Sequence, residues 1–203
     1  MKVEKLAVQG AFVFTPEVFS DHRGLFVSPF QRLSFTAANG GPILPVAQTN
    51  HSMSRRGVVR GVHYTSTPPG VAKYVYCAVG EAIDIIVDVR VGSPTFGTWD
   101  AVQMNSQEFR AMYFPVGVGH AFVSLADGTV MSYMLTGSYV PEHERVVSAF
   151  DPALGLPIPT DLETIISDRD RVGPSLAETA EAGLLPDYQQ CQVLEHQLYR
   201  VAH

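Results

Sequence analysis

Among the side chains of this chain, His63 is the best suited to moving a proton near neutral pH. Its company is unusual: the stretch QTNHSMSRRGVVRGVHYTSTPPGVAK, residues 48–73, also holds Gln48, Asn50, Arg60 and Lys73. A lone histidine in an apolar strand is most often a hydrogen-bonded core or rim residue. A strand pair with only a structural duty, however, rarely carries so many amides and cations. His120, in the glycine-rich passage PVGVGHAF, and Tyr133 extend the inventory. There is no nucleophilic serine elbow and no phosphate-binding glycine loop. The set therefore suits proton abstraction and return better than group transfer.

These residues need strands to hold them. Val58 to Tyr64 is rich in β-branched and aromatic residues, and Arg56-Gly57 and Pro68-Pro69-Gly70 punctuate it. Arg60 and His63 stand three apart and would face opposite sides of a regular strand. The sequence thus predicts a bulge at Gly61, or else an Arg60 that reaches the site around an edge. Further strands are expected over Leu6–Pro16, Leu25–Val27, Val46–Ser52, Ala72–Ala78, Ala82–Arg90, Trp99–Met104, Ala111–Pro115, Phe122–Leu125 and Val130–Leu135. In Ala82–Arg90 the residues Asp84, Ile86, Asp88 and Arg90 share one face, which reads either as solvated or, for Asp84, as turned into a wet barrel interior. Strands about ten residues apart with turn signals between them indicate an all-β sandwich or barrel.

The C-terminal part reads differently. Asp151–Pro159 is irregular, SDRD at 167–170 reads as a charged loop, Ser175 with Glu178 opens a capping box, and a last helix is expected over Gln190–Val201. One short helix is expected near Phe30–Ala38. No linker or repeat divides the 203 residues, so a single domain over 1–203 is expected, with a barrel core at about 45–150 and a helical cover at about 160–203.

Bulk properties narrow the partners. A net charge of −6 disfavours nucleic acid and anionic membrane surfaces, so a bound anion must be met by local arginines and lysines. Cys77 and Cys191 have no metal-ligand or disulfide-framework spacing, which fits a reducing cytoplasm. No signal-peptide pattern and no membrane-length apolar run is evident, so the chain reads as soluble and unexported.

In order and spacing, the motifs DHRGLF, QTNHS, RGVHY, AKYVYC, DIIVDVRVGSPTFGTW, PVGVGHAF, SYMLTGSYVPEHE, DPALG and SDRD resemble the dTDP-4-dehydrorhamnose 3,5-epimerase family and its antibiotic-pathway relatives. The wording of HSMS, HYTSTPPG and MSYML is similar to the subset that inverts one centre, most often C5. The resemblance implies a cupin-like double-stranded β-helix, a homodimer with a strand exchanged near the N-terminus, a dTDP-4-keto-deoxyhexose substrate, and neither metal nor organic cofactor. It implies His63 as general base, Asp170 as the carboxylate that orients it, Lys73 at the enolate oxygen, Tyr133 as the acid that returns the proton, and His120 as a further donor near the ketone. For the nucleotide it implies Arg23 (from the partner subunit), Arg60 and Arg169 on the diphosphate, Tyr139 stacked on thymine, and Gln48, Asn50 and Glu144 as hydrogen-bonding groups. The chain departs from the family pattern at Ser28, where glutamate is usual, at Ala121, where glycine is usual, and at Arg169, where lysine is common.

Inversion at C3 alone is an alternative for the same substrate class. A metal-dependent cupin is another, in which His51, His63 and His120 would converge; against it, there is no HxH motif, and His51 follows Asn50 and so faces the other way. A sugar-nucleotide-binding protein without turnover would not need both His63 and Tyr133.

Overall fold

A computed structural model describes the backbone of residues 1–201, with side chains through residue 199. The last two residues of the expected domain and helical cover therefore lie outside the described residues. One antiparallel sheet contains β1 (Lys2–Lys5), β2 (Phe12–Thr15), β5 (Gln48–Ser54), β7 (Lys73–Val79), β10 (Ala111–Phe114) and β12 (Thr129–Leu135), in the order β1-β2-β10-β7-β12-β5. A second contains β6 (Val59–Thr65), β8 (Glu81–Val87), β9 (Trp99–Asn105), β11 (Gly119–Ser124) and β13 (Glu144–Val146), in the order β13-β6-β11-β8-β9. The two close on one another as a cupin-like jelly roll. A separate hairpin, β3 (Val18–Asp21) with β4 (Gly24–Val27), stands apart.

Much of both faces of each sheet is apolar. Val75 and Cys77 of β7, Ala82 and Ile86 of β8, Met112 and Phe114 of β10 and Met131 of β12 fill the space between the sheets. The outward residues Ile85, Val87 and Val123 lie beneath the C-terminal segment, against Val147, Leu154 and Leu162. The outer face of the larger sheet is aromatic: Phe14, Tyr74 and Tyr113 pack against Phe35 of α1 (Arg32–Asn39), with ring centroids 5.1–6.3 Å apart. Such pairs each contribute about 0.5–1.5 kcal/mol beyond their burial. The final helix α4 (Tyr188–Val201) adds the fully buried Cys191 to that layer. Strands buried on both faces lose clean polar–apolar alternation, which is why β10 and β11 read as near-continuous apolar runs.

Several sequence expectations need correction. Leu6–Pro16 is not one strand: Gly10, at φ +84°, turns the chain, so β2 starts at Phe12 and the charged Lys2–Lys5 forms an edge strand before it. His120 lies inside β11, not ahead of it. SDRD is a loop only at Ser167: Asp168–Arg171 forms α2, whose first turn is capped by the Ser167 hydroxyl accepting from the Asp170 N–H at 3.1 Å. The polar face of Ala82–Arg90 is not solvated: Asp84 takes the inward of its two readings, Asp88 is fully buried as well, and the strand stops at Val87, where Asp88 accepts from Arg90, Ser93 and Thr95. The capping box at Ser175 and Glu178 opens α3 (Leu176–Glu181) as expected.

The bulge at Gly61 is present. On β11, His120 and Phe122 are two apart, while their partners on β6, His63 and Arg60, are three apart. Gly61 accommodates the extra residue at φ +109°, and a Cβ there would collide with the His120 carbonyl oxygen and with Ala121. Gly61→Ala is therefore expected to lower the unfolding free energy by about 2–4 kcal/mol, read as a reduced midpoint in urea melts. A midpoint equal to wild type would refute the requirement.

Candidate active site

The bulge turns Arg60 and His63 toward the same space, a cavity of about 470 Å³ between the two sheets. Asn50, Lys73, His120, Tyr133, Tyr139 and Glu144 also line it. Eight of the twelve residues expected at the site thus converge on one cavity. Asp170 stands behind His63, and Gln48 stands behind Asn50 and Tyr139, accepting from the Tyr139 N–H at 2.9 Å and donating to Asn50 Oδ1 at 2.7 Å.

His63 and Asp170 are joined from opposite ends of the sequence. Nε2 of His63 lies 2.7 Å from Asp170 Oδ1, and the Gly61 N–H approaches Oδ2 at 3.4 Å. Burial pushes the Asp170 carboxyl upward, but the hydrogen bond and charge of His63, with the Gly61 amide and Ser167, outweigh it and hold the group below its usual 3.8. The imidazole remains 29% exposed, within reach of anything in the cavity. A carboxylate so placed fixes the ring and stabilises it once protonated, the arrangement a general base needs.

Tyr133 comes from the opposing sheet. Its hydroxyl shares a 3.2 Å hydrogen bond with Ser52, and burial, reinforced by the charge of Asp84, raises the phenol well above its usual range. Its proton is therefore held more firmly than that of an exposed phenol. Imidazole and phenol therefore face one cavity from its two walls, His63 on β6 and Tyr133 on β12.

The remaining polar groups are each supported. Enclosure draws the Lys73 ammonium below its usual value against the opposing pull of Glu144, whose carboxylate accepts from Thr65 at 2.8 Å. Arg60 Nε donates to Ser54 at 3.3 Å. His120 Nε2 lies 2.6 Å from Asp84 Oδ1, and its ring stacks on Phe114 at 4.9 Å. Among the described residues no group of three or more His, Cys, Asp or Glu stands together as a metal site, and His51 instead bonds Ser132 at 2.9 Å.

Of the four expected residues that do not line the cavity, two lie at the surface. Arg23 lies at the exposed hairpin turn, paired with Asp21 at 2.6 Å, and Arg169 points outward on α2, because Asp170 beside it takes the inward direction. Ser52 and Thr65 were missed, although each is two residues from an expected neighbour, Asn50 and His63, and so shares its strand face.

Comparison with known proteins places this geometry in a class. The family model for dTDP-4-dehydrorhamnose 3,5-epimerase matches residues 5–178. The chain belongs to that family. It is 45% identical over 187 residues, 92% of this chain and 95% of the other, to a dTDP-4-dehydro-6-deoxyglucose 3-epimerase from Streptomyces bikiniensis. It is 42% identical over 200 residues, 98% of each chain, to a dTDP-4-dehydrorhamnose 3,5-epimerase from Mycolicibacterium smegmatis. A crystal structure of ChmJ, a 3'-monoepimerase from S. bikiniensis, as a His→Asn, Tyr→Phe double mutant in complex with dTDP, matches with a TM-score of 0.91 at 43% identity, covering 98% of this chain and 99% of that one.

Because Asp170 sits below its ordinary value, its stabilising contribution is fully present above about 3.8 and is lost as pH falls through the lower native value. Asp170→Asn should show lower stability than wild type near pH 6 and a shallower loss on acidification to about pH 2, measured by urea melts across that range. Parallel curves for the two proteins would count against the pairing.

Proposed function

We propose that the chain inverts a carbon next to the C4 ketone of a dTDP-4-keto-6-deoxyhexose by removing and returning one proton. His63, backed by Asp170, takes the proton. The electron pair moves onto the C4 oxygen as an enolate, beside Lys73 and His120, and returns to carbon as Tyr133 delivers a proton to its opposite face, after which water takes the proton from His63 and restores the one on Tyr133. No electron is gained or lost, and no metal or organic cofactor enters the scheme. The observation that carries the reading is the placement of His63 with Asp170 on one wall of the cavity and Tyr133 on the other. The histidine and tyrosine exchanged in the ChmJ double mutant have the same separation in sequence as His63 and Tyr133, which supports the same pair here.

Around the chemistry, Arg60 and, from the surface, Arg169 hold the diphosphate, Tyr139 stacks on thymine, and Gln48, Asn50 and Glu144 hydrogen-bond the sugar nucleotide. The relatives reported above all carry C3 in their names, so C3 is the centre we assign first, with C5 the one to which the wording of the motifs points. We read the chain as one domain and place it in a reducing cytoplasm, on the strength of its two buried free thiols, Cys77 and Cys191. Among the described residues no helix is long and apolar enough to cross a membrane.

Incubation with the 4-keto sugar nucleotide in deuterated water should place deuterium at C3 or C5, and the labelled position names the centre inverted. His63→Asn should abolish exchange, and Tyr133→Phe should permit exchange without inversion. Absence of label at both carbons with the wild-type protein would reduce the reading to binding alone.

We also infer a homodimer in which the β3–β4 hairpin crosses to its neighbour. Phe19 and Phe26 are 56% and 69% exposed on it, an apolar surface that needs a cover, with Arg23 at its tip. Arg23→Ala should raise KM for the sugar nucleotide while sparing kcat, and sedimentation should give the mass of two chains. A monomer with unchanged KM on this substitution would remove the proposal.

A further inference from the structure

A second histidine–carboxylate pair lies inside the barrel, and the scheme above gives its carboxylate no duty. Asp84 on β8 and His120 on β11 are 0% and 6% exposed, with Nε2 2.6 Å from Oδ1. The other oxygen of Asp84 is buried and has no hydrogen-bond partner among the described residues. Phe114 stacks on the imidazole, Phe122 lies 6.4 Å away, and the Tyr133 ring meets it edge-on at 6.0 Å. A carboxylate with one oxygen left bare in such surroundings is costly, and an apolar residue would serve the packing better. Its presence calls for a reason in the chemistry.

We propose that Asp84 is a positioning residue for His120, holding that ring so that Nδ1–H donates a hydrogen bond to the C4 oxygen as negative charge gathers there. The inference rests on the reaction proposed above and adds to it the group that makes His120 a donor. With Nε2 taken by Asp84, Nδ1 is the ring nitrogen left for a ligand, and His120 lines the cavity. When the pair carries no net charge, Nδ1 bears a hydrogen whether the shared proton sits on nitrogen or on oxygen. In both cases the ring donates. No bond to carbon forms or breaks in this role: the hydrogen bond strengthens while the enolate exists and relaxes as Tyr133 returns the proton.

The contrast with Asp170 shows why two similar pairs take different duties. Asp170 has both oxygens engaged, one by His63 and one by the Gly61 N–H, so it can remain a carboxylate and receive an imidazolium when His63 gains a proton. Asp84 has His120 as its single partner among the described residues, in an apolar enclosure, so that one contact holds the ring and leaves Nδ1 as the nitrogen free for a ligand. One pair accepts; the other donates.

The test is the rate of deuterium wash-in from solvent at saturating dTDP-4-keto-6-deoxyglucose, with dTDP binding measured by calorimetry on the same proteins. Asp84→Asn, which preserves shape, should slow wash-in by roughly 10- to 100-fold, the size of loss seen when the partner behind a metal-bound histidine is removed, while KM and the Kd for dTDP change by less than about threefold. The double variant Asp84→Asn with His120→Gln should be no slower than the slower single variant, because both substitutions remove the same donor. Wash-in near the wild-type rate in Asp84→Asn, or a double-variant loss equal to the product of the single losses, overturns the proposal. If Asp84→Asn does not fold, nitrogen NMR of the wild-type His120 ring at about pH 7 decides: a protonated Nδ1 supports it and an unprotonated Nδ1 overturns it. A wild-type protein without any wash-in defeats the epimerase reading itself, an outcome distinct from a wild-type rate that survives in Asp84→Asn.

Discussion

One extra residue in β6 governs the direction of the side chains that this strand gives to the cavity. In a regular strand Arg60 and His63 would point to opposite faces, and one of them would leave the site. The bulge at Gly61 brings both inward, and the same residue turns its N–H toward Asp170, so the carboxylate behind the histidine is held by the feature that aims the histidine. Only glycine suits the position, because its φ lies in the region unfavourable to side chains and its neighbour across the ladder is a backbone carbonyl. The close approach of two backbones is concentrated beside the cavity.

The rest of the fold makes that arrangement rigid. Each sheet is covered on its outer face, the smaller by the segment after β13 and the larger by α1 and α4, so neither can flex without disrupting an apolar layer. The C-terminal segment does more than cover. It ends in a four-residue helix, α2, capped by Ser167, and that cap fixes the position from which Asp170 reaches His63, 107 residues earlier in the chain. A contact of such span is costly to form as a loop, and it persists here because the packed residues Val147, Leu154 and Leu162 have already anchored the segment on the sheet.

How much of this could be read from the residues differs by element. The strand framework was readable because β-branched and aromatic runs alternate with glycine and proline punctuation, and the bulge was readable from a conflict, since Arg60 and His63 could not otherwise share a face. Burial of Asp88 and Arg90 was not readable, and for Asp84 the residues left two directions open. Polar residues at alternate positions look the same whether the face meets water or a paired interior, and only the partners, His120 for Asp84 and Arg90 for Asp88, distinguish the two. The helical turn at SDRD was hidden for a similar reason: four charged residues carry no apolar period, and the capping serine acts through geometry rather than composition. Arg169 could not be placed at all from sequence, because in a single helical turn the direction of Asp170 dictates where its neighbour points.

In the proposed scheme the cavity also separates binding from reaction along its depth. Tyr139 and Arg60 are exposed and suit a nucleotide handle that stays partly in water, whereas His120 and Asp84 lie deep in the barrel among Phe114 and Phe122. Charge is screened at the mouth and strengthened within, so a cation there mainly recruits an anion, while a donor inside acts on charge that exists only during the reaction. In the proposed scheme this is the useful division. Energy gained on the diphosphate fixes the sugar between imidazole and phenol, and the inner donors are left to favour the enolate over the ketone. Lys73 joins the two regimes: enclosure weakens its hold on its proton and the charge of Glu144 partly restores it, so the ammonium is stabilised most when a second negative charge, on the C4 oxygen, forms beside it.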